Sequence, residues 1–195
     1  MISNLELNSL NFAYQNRPWE ATLRTLLSEL EKASVGSITL APELCLTGYA
    51  YDKMKQAASF GEAALTKLLK ASKNKTFGFT CIAKKESGFA NRFYLLNDGK
   101  IIHTQDKAKL FPLGDEPKYF ISGNTKDIKP FTYKGLKIGI LICFELRFPK
   151  LWLELRGCDL ILVPALWGKA RKSHFQTLCD ALAIANQCYV LSSNS

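Results

Sequence analysis

Leu136-Lys137-Ile138-Gly139-Ile140-Leu141-Ile142-Cys143-Phe144-Glu145-Leu146-Arg147-Phe148-Pro149 is the stretch that decides how this chain folds. Its first eight residues are an apolar run, rich in isoleucine and too short for a buried helix, as expected of a strand covered on both faces. The run carries Cys143 to its carboxyl end. A charged segment follows, then a helix predicted over residues 148–156 and closed by Gly157. Downstream, residues 158–164 read as another buried strand, and residues 174–186 as a helix with Phe175, Leu178 and Leu182 on one face. Residues 189–192 form a last predicted strand.

Upstream, Trp19, Leu23, Leu26, Leu27 and Leu30 recur at helical spacing, with Glu20, Glu29 and Glu31 between them, so residues 19–33 read as an amphipathic helix. Residues 37–41 form a short apolar strand that runs into Pro42 and Glu43, and a second helix is expected around residues 62–71. Strands are expected over residues 77–83 and 92–96, and Asp98-Gly99 is a hairpin turn leading into residues 100–104. Strands alternating with helices, plus one hairpin, predict an α/β sheet of mixed strand direction with helices on its faces. Without a linker, low-complexity tract or internal period, residues 1–195 are expected to form one domain.

Apolar residues make up 47% of the 195-residue chain, enough for a substantial core without covalent staples. The six cysteines include no CxxC pair, and the two histidines, His103 and His174, form no HExxH. Free thiols and no metal site are therefore expected. The net charge of +9 raises nucleic acid or anionic membranes as partners. Against this, lysines and arginines are scattered, and the densest group, Lys169, Arg171 and Lys172, lacks interleaved aromatics. A solvated surface accounts for the charge, although the same group suits a carboxylate at a pocket mouth. The start, MISNLELNSL, has no basic stretch followed by an apolar one, and no apolar run approaches bilayer length. No membrane partner and a cytoplasmic location are expected.

Three segments carry candidate chemistry. Cys143, at the end of its strand, is placed as a nucleophile would be, although a small buried residue closing a strand fits equally well. Glu43 follows a strand and a proline, where partial burial would raise its pKa toward that of a general base; a capping or surface glutamate fits too. Lys107, in Asp106-Lys107-Ala108-Lys109-Leu110-Phe111, reads on its own as part of an ordinary basic loop.

Taken together, Pro42-Glu43 with Gly48-Tyr49, Lys107-Ala108-Lys109-Leu110-Phe111, and Ile142-Cys143-Phe144-Glu145 with Arg147-Phe148-Pro149 resemble the nitrilase superfamily of carbon–nitrogen hydrolases. The resemblance implies an α-β-β-α sandwich with mixed sheets. It assigns Glu43 as general base, Lys107 as charge stabiliser and Cys143 as nucleophile. Glu116, followed by Phe120 and Gly123, matches the family's additional glutamate in the pattern Glu-x-x-x-Phe-x-x-Gly. The substrate would be a small amide or N-carbamoyl amine, with no cofactor and no nucleic acid. Phe144, whose N–H is the natural second oxyanion donor, and Trp167, a pocket wall or core residue, are the expected substrate-binding positions. A homo-oligomer is implied, with Leu151 and Trp152 as exposed apolar contacts.

The sequence departs from the family in three places. Many members have histidine where this chain has Lys109, and arginine and an acid where it has Leu182 and Ala185. The third departure is length: members continue through further strands and a C-terminal arm, so a sandwich truncated at the C-terminus, with an exposed sheet edge, is expected. An active amidase or carbamoyl hydrolase is the leading expectation. An idle relative acting in binding or assembly is its rival.

Overall fold

The computed structural model describes residues 5–12 and 17–195. The chain runs β1 (Leu7–Ser9), α1 (Trp19–Lys32), β2 (Ile38–Leu40), α2 (Met54–Ala71), β3 (Thr76–Lys85), β4 (Gly88–Asn97) and β5 (Lys100–Asp106). It continues through α3 (Glu116–Tyr119), β6 (Phe131–Tyr133), β7 (Leu136–Ile140), α4 (Pro149–Glu154), β8 (Leu160–Ala165), α5 (Lys172–Asn186) and β9 (Tyr189–Asn194). The first five strands form one sheet in sequence order, with β1, β2 and β3 parallel and β4 and β5 antiparallel additions. The last four form a second sheet, β6-β7-β8-β9, in which only β6 is antiparallel.

The alternation of side chains along a strand explains how the layers stack. Phe77 and Phe79 of β3 and Leu96 of β4 pack beneath Leu23, Leu26 and Leu30 of α1 and Ala64 and Leu68 of α2. On the opposite face, Leu40, Phe93 and Leu95 meet Ile138, Ile140, Leu160 and Leu162 of the second sheet. Leu155, which follows α4, and Phe175 and Leu182 of α5 belong to that same buried group. The result is the expected α-β-β-α sandwich. β8 lies inside its sheet and all six of its residues are buried, as is usual for a parallel strand covered on both sides.

Polar ties cross between the sheets. The Gln105 side chain on β5 donates to the Ile140 carbonyl on β7 at 3.3 Å. Ser9 donates to the Ser192 carbonyl at 2.6 Å, and Ser193 and Ser195 donate to the carbonyls of Leu10 and Phe12. β9 is thereby laced to the β1 segment.

Several expectations are corrected. The cysteine strand ends at Ile140, three residues early, and Cys143 instead opens a tight 3-10 turn, Cys143–Arg147. The second helix starts at Met54; Gly61 lies within it because a Cβ there would sit 3.2 Å from the Ile82 carbonyl. A further hairpin joins β6 to β7 through Lys134 and Gly135, both with positive φ, in addition to the expected Asp98-Gly99 turn. Leu151 is not an exposed contact: it is 5% exposed and packs into the core. Trp152 is half-buried, its indole N–H donating to Leu146. Leu182 is fully buried.

Gly123 lies against the end of β5, where a Cβ would run into the backbone carbonyl of Asp106. Its N–H donates to the carbonyl of Lys107 at 2.8 Å. Backbone cannot yield as a flexible side chain can, so Gly123→Ala is expected to lower stability by about 1–3 kcal/mol. The urea midpoint of the purified variant measures this, and an unchanged midpoint would contradict the packing described.

Candidate active site

The site gathers at the carboxyl ends of strands from both sheets. β2 ends three residues before Glu43, β5 one residue before Lys107, β7 three before Cys143, and β8 two before Trp167. Ligand sites collect at such ends because the strands are rigid and the following loops are free to vary. Glu43 is anchored by its N–H, which donates to the Ala165 carbonyl at 3.2 Å. Leu44, with φ of 46°, donates to the buried hydroxyl of Thr80 at 2.6 Å.

Lys107 Nζ lies 2.7 Å from Glu43 Oε1 and 2.6 Å from Glu116 Oε1, and all three side chains are buried. Asn91 donates to the same Glu43 oxygen at 2.8 Å. The Tyr49 hydroxyl donates to Glu116 Oε1 at 2.7 Å, and the Phe111 N–H to Glu116 Oε2 at 3.0 Å. Burial alone would lower the lysine pKa, but the negative charge of Glu43 and Glu116 outweighs it and holds the ammonium protonated well into alkaline pH. Glu116 is raised, chiefly by burial, with Lys107 pulling the other way.

Cys143 adopts a left-handed conformation, φ 51°, which a non-glycine residue takes at a cost of about 1 kcal/mol or more. The turn places its thiol beside the cluster, where Glu43 and Lys107 act on it electrostatically. Burial keeps the thiol pKa well above the ordinary value, Glu43 raises it further, and Lys107 and a backbone hydrogen bond from Leu166 oppose the rise. The resting sulfur is therefore neutral, with a carboxylate beside it.

The thiol opens onto a narrow cavity of about 30 Å³ lined by Phe111, Cys143, Phe144, Arg147, Leu166, Trp167 and Arg171. Phe144 packs on Phe111 with ring centres 5.0 Å apart. Trp167 is both wall and core: it lines the cavity and packs on Phe175 at 5.5 Å. The Arg147 guanidinium lies 4.5 Å over the Trp167 ring, and that of Arg171 lies 5.3 Å over Phe111. Of the three basic residues singled out in the sequence, only Arg171 lines the cavity. Lys109 sits 5.3 Å over the Phe148 ring.

Glu43, Lys107, Glu116 and Cys143, which the sequence suggested, thus meet at one point. Tyr49, Asn91 and Glu145 were not assigned a role beforehand. Tyr49 and Glu145 fall inside the quoted motifs, whereas Asn91 sits mid-strand with nothing in the sequence to mark it.

A thiol paired with a buried carboxylate and flanked by an ammonium defines the class of hydrolases that attack through sulfur. The chain belongs to the carbon-nitrogen hydrolase family, whose model matches residues 13–195. It is 32% identical over 175 residues to the omega-amidase YafV of Escherichia coli, covering 89% of this chain and 68% of that one. It is 32% identical over 176 residues to the 2-oxoglutaramate amidase of Bacillus subtilis, covering 85% and 66%. The chain therefore spans about two thirds of the length of these relatives. The fold matches that of an amidase from Nesterenkonia sp. with a TM-score of 0.82 at 20% identity, covering 97% of this chain and 74% of that one. The protein is an amidase-type enzyme that hydrolyses carbon–nitrogen bonds through a cysteine nucleophile. Among the described residues, no helix is long and apolar enough to cross a membrane.

Replacing Lys107 by methionine would strand two buried carboxylates without their cation. A loss of about 3–5 kcal/mol at neutral pH is expected, as for other broken buried ion pairs. Glu116, already raised by burial, would lose the cation that opposes the rise. The variant should therefore regain stability as pH falls and lose it as pH rises through the raised value. Denaturation of Lys107→Met at several pH values measures this, and pH-independent destabilisation would contradict the charge assignment.

Proposed function

We propose that the enzyme cleaves the terminal amide of a small ω-amide acid, releasing ammonia, with Arg147 and Arg171 receiving the substrate's carboxylate. The observation that carries this reading is that two guanidinium groups line the same narrow cavity as the Cys143 thiol. Each is held over an aromatic ring, and a guanidinium offers paired N–H donors that match a planar carboxylate. The similarity to an omega-amidase and a 2-oxoglutaramate amidase supports the same substrate class.

In the proposed reaction Glu43 takes the thiol proton as sulfur attacks the amide carbon. Because the resting thiol is neutral, proton removal has to accompany attack, which requires a base in contact with it; Glu43 meets that requirement. The tetrahedral oxyanion is held by the Lys107 ammonium and the Phe144 N–H, donors of a kind worth roughly 3 to 4 kcal/mol each. Glu43 returns the proton to the departing ammonia. Water then adds to the thioester with Glu43 again as base, and the acid leaves with the thiol restored. Glu116, held by Tyr49, keeps Lys107 charged and in place.

The assembled cluster supports an active enzyme over an idle subunit. The described cysteines are all free, which suits a reducing cytoplasm. Exposed Leu153, Ile184 and Tyr189 support self-association.

Cys143→Ala should abolish ammonia release from 2-oxoglutaramate, and Glu43→Gln should remove the preference of iodoacetamide for Cys143, which lines the cavity with a base beside it, over Cys81 and Cys158, which do not line it. Arg147→Ala and Arg171→Ala should each raise KM for the carboxylate-bearing amide about 10- to 100-fold, the value of a charged hydrogen bond. Neutral amides should be turned over equally by these variants and the wild type. Equal losses on both substrates would sink the carboxylate assignment.

A further inference from the structure

Glu145 is fully buried, takes no part in the reaction described above, and does not line the cavity. Its Oε1 accepts the N–H of Ala108 at 2.6 Å and, more weakly, that of Lys109 at 3.4 Å. Its Oε2 accepts the N–H of Ile142 at 2.7 Å. One carboxylate thus grips the residue after Lys107 with one oxygen and the residue before Cys143 with the other. From this we infer that Glu145 is a positioning residue, which sets the distance between the oxyanion-stabilising ammonium and the attacking sulfur; the inference rests on the roles proposed for Lys107 and Cys143.

The chemistry of the clamp requires the ionised form. A carboxylate presents acceptors on both oxygens, whereas a protonated acid or an amide turns one of them into a donor facing an N–H. Folding alone does not call for a charge at this place, since a well-packed apolar residue would serve a purely structural contact at less desolvation cost. The turn it braces is strained at Cys143, and strained conformations persist only where surrounding contacts overdetermine them.

Burial pushes the Glu145 carboxyl up to about 7, opposed by the backbone N–H groups of Ile142 and Ala108, the charge of Lys107 and the N–H of Lys109. Lys107 is the charged group that acts on it; its other partners are uncharged amides. Protonation below that value removes an acceptor and loosens the clamp. Catalysis should therefore weaken as pH falls through about 7, giving the profile of kcat an acidic limb there.

The test compares the wild type, Glu145→Gln and Glu145→Asp in kcat, KM and pH profile, with Cys143→Ala assayed beside them for activity. Glu145→Gln, checked for folding by circular dichroism, should lose about 100-fold in kcat with KM little changed, the effect of a small misplacement of reacting groups. Its residual activity should lack the acidic limb, because glutamine mimics the protonated acid at every pH. Glu145→Asp, a shorter carboxylate, should be impaired but keep the limb. Wild-type kcat in the glutamine variant, or a reduced kcat with the acidic limb intact, would overturn the proposal. If the glutamine variant does not fold, wild-type kcat in Glu145→Asp overturns it, and impairment with the limb retained supports it. Activity surviving in Cys143→Ala would instead sink the underlying reaction scheme. A dead Cys143→Ala beside a normal Glu145→Gln would sink only the clamp.

Discussion

The Lys107 ammonium, wedged between Glu43 and Glu116 with no access to solvent, is the interaction on which the rest of the site depends. Removing three charges from water is costly, and the cost is recovered only if every lone pair and proton finds a partner at good geometry. Partners drawn from distant places offset much of that cost: Tyr49 and the Phe111 N–H on one carboxylate, Asn91 on the other. The cluster holds two carboxylates against one ammonium, leaving a net negative charge beside a neutral thiol. That imbalance keeps the lysine charged and gives the sulfur a proton acceptor within reach.

The sandwich provides the rigid frame for this arrangement. Glu43 and Lys107 follow strands of one sheet, and Cys143 and Trp167 follow strands of the other, so the site straddles the plane where the sheets meet. That plane is filled by Leu40, Phe93, Leu95, Ile138, Ile140 and Leu162, and Gln105 bonds across it. Glu43 itself donates to the end of β8. Gly123 lets the chain return close enough to the end of β5 to bond the Lys107 carbonyl.

The buried cluster was legible in the sequence because Glu43, Lys107 and Cys143 follow strand ends and Glu116 opens α3, all inside recognisable segments in order along the chain. The long apolar strands and the α5 helix were legible from their periodicity alone. What escaped notice has physical reasons. β1 and β6 are three residues each and too short to show a pattern. The Lys134-Gly135 turn puts lysine where asparagine or aspartate would have announced positive φ. Asn91 lies in an antiparallel strand where alternating polar residues usually face water, and only the folded sheet reveals that it faces Glu43. Glu145 lay in plain view within its motif, but a carboxylate bonded only to backbone amides leaves no partner residue type for a sequence to display. The Leu151 expectation failed because an apolar residue on a short helix can face either way, and here it faces inward.

The division of the site between two sheets also bears on when the chemistry becomes available. In an extended or half-assembled chain Cys143 is one ordinary thiol among six, with its base and its cation far away along the polypeptide. The reactive group comes into being only when both sheets have docked, and it is dismantled as soon as they part. Catalytic competence in this enzyme is thus a certificate of completed tertiary structure. A nascent or damaged molecule carries no assembled nucleophile on which an acyl group could be captured out of place.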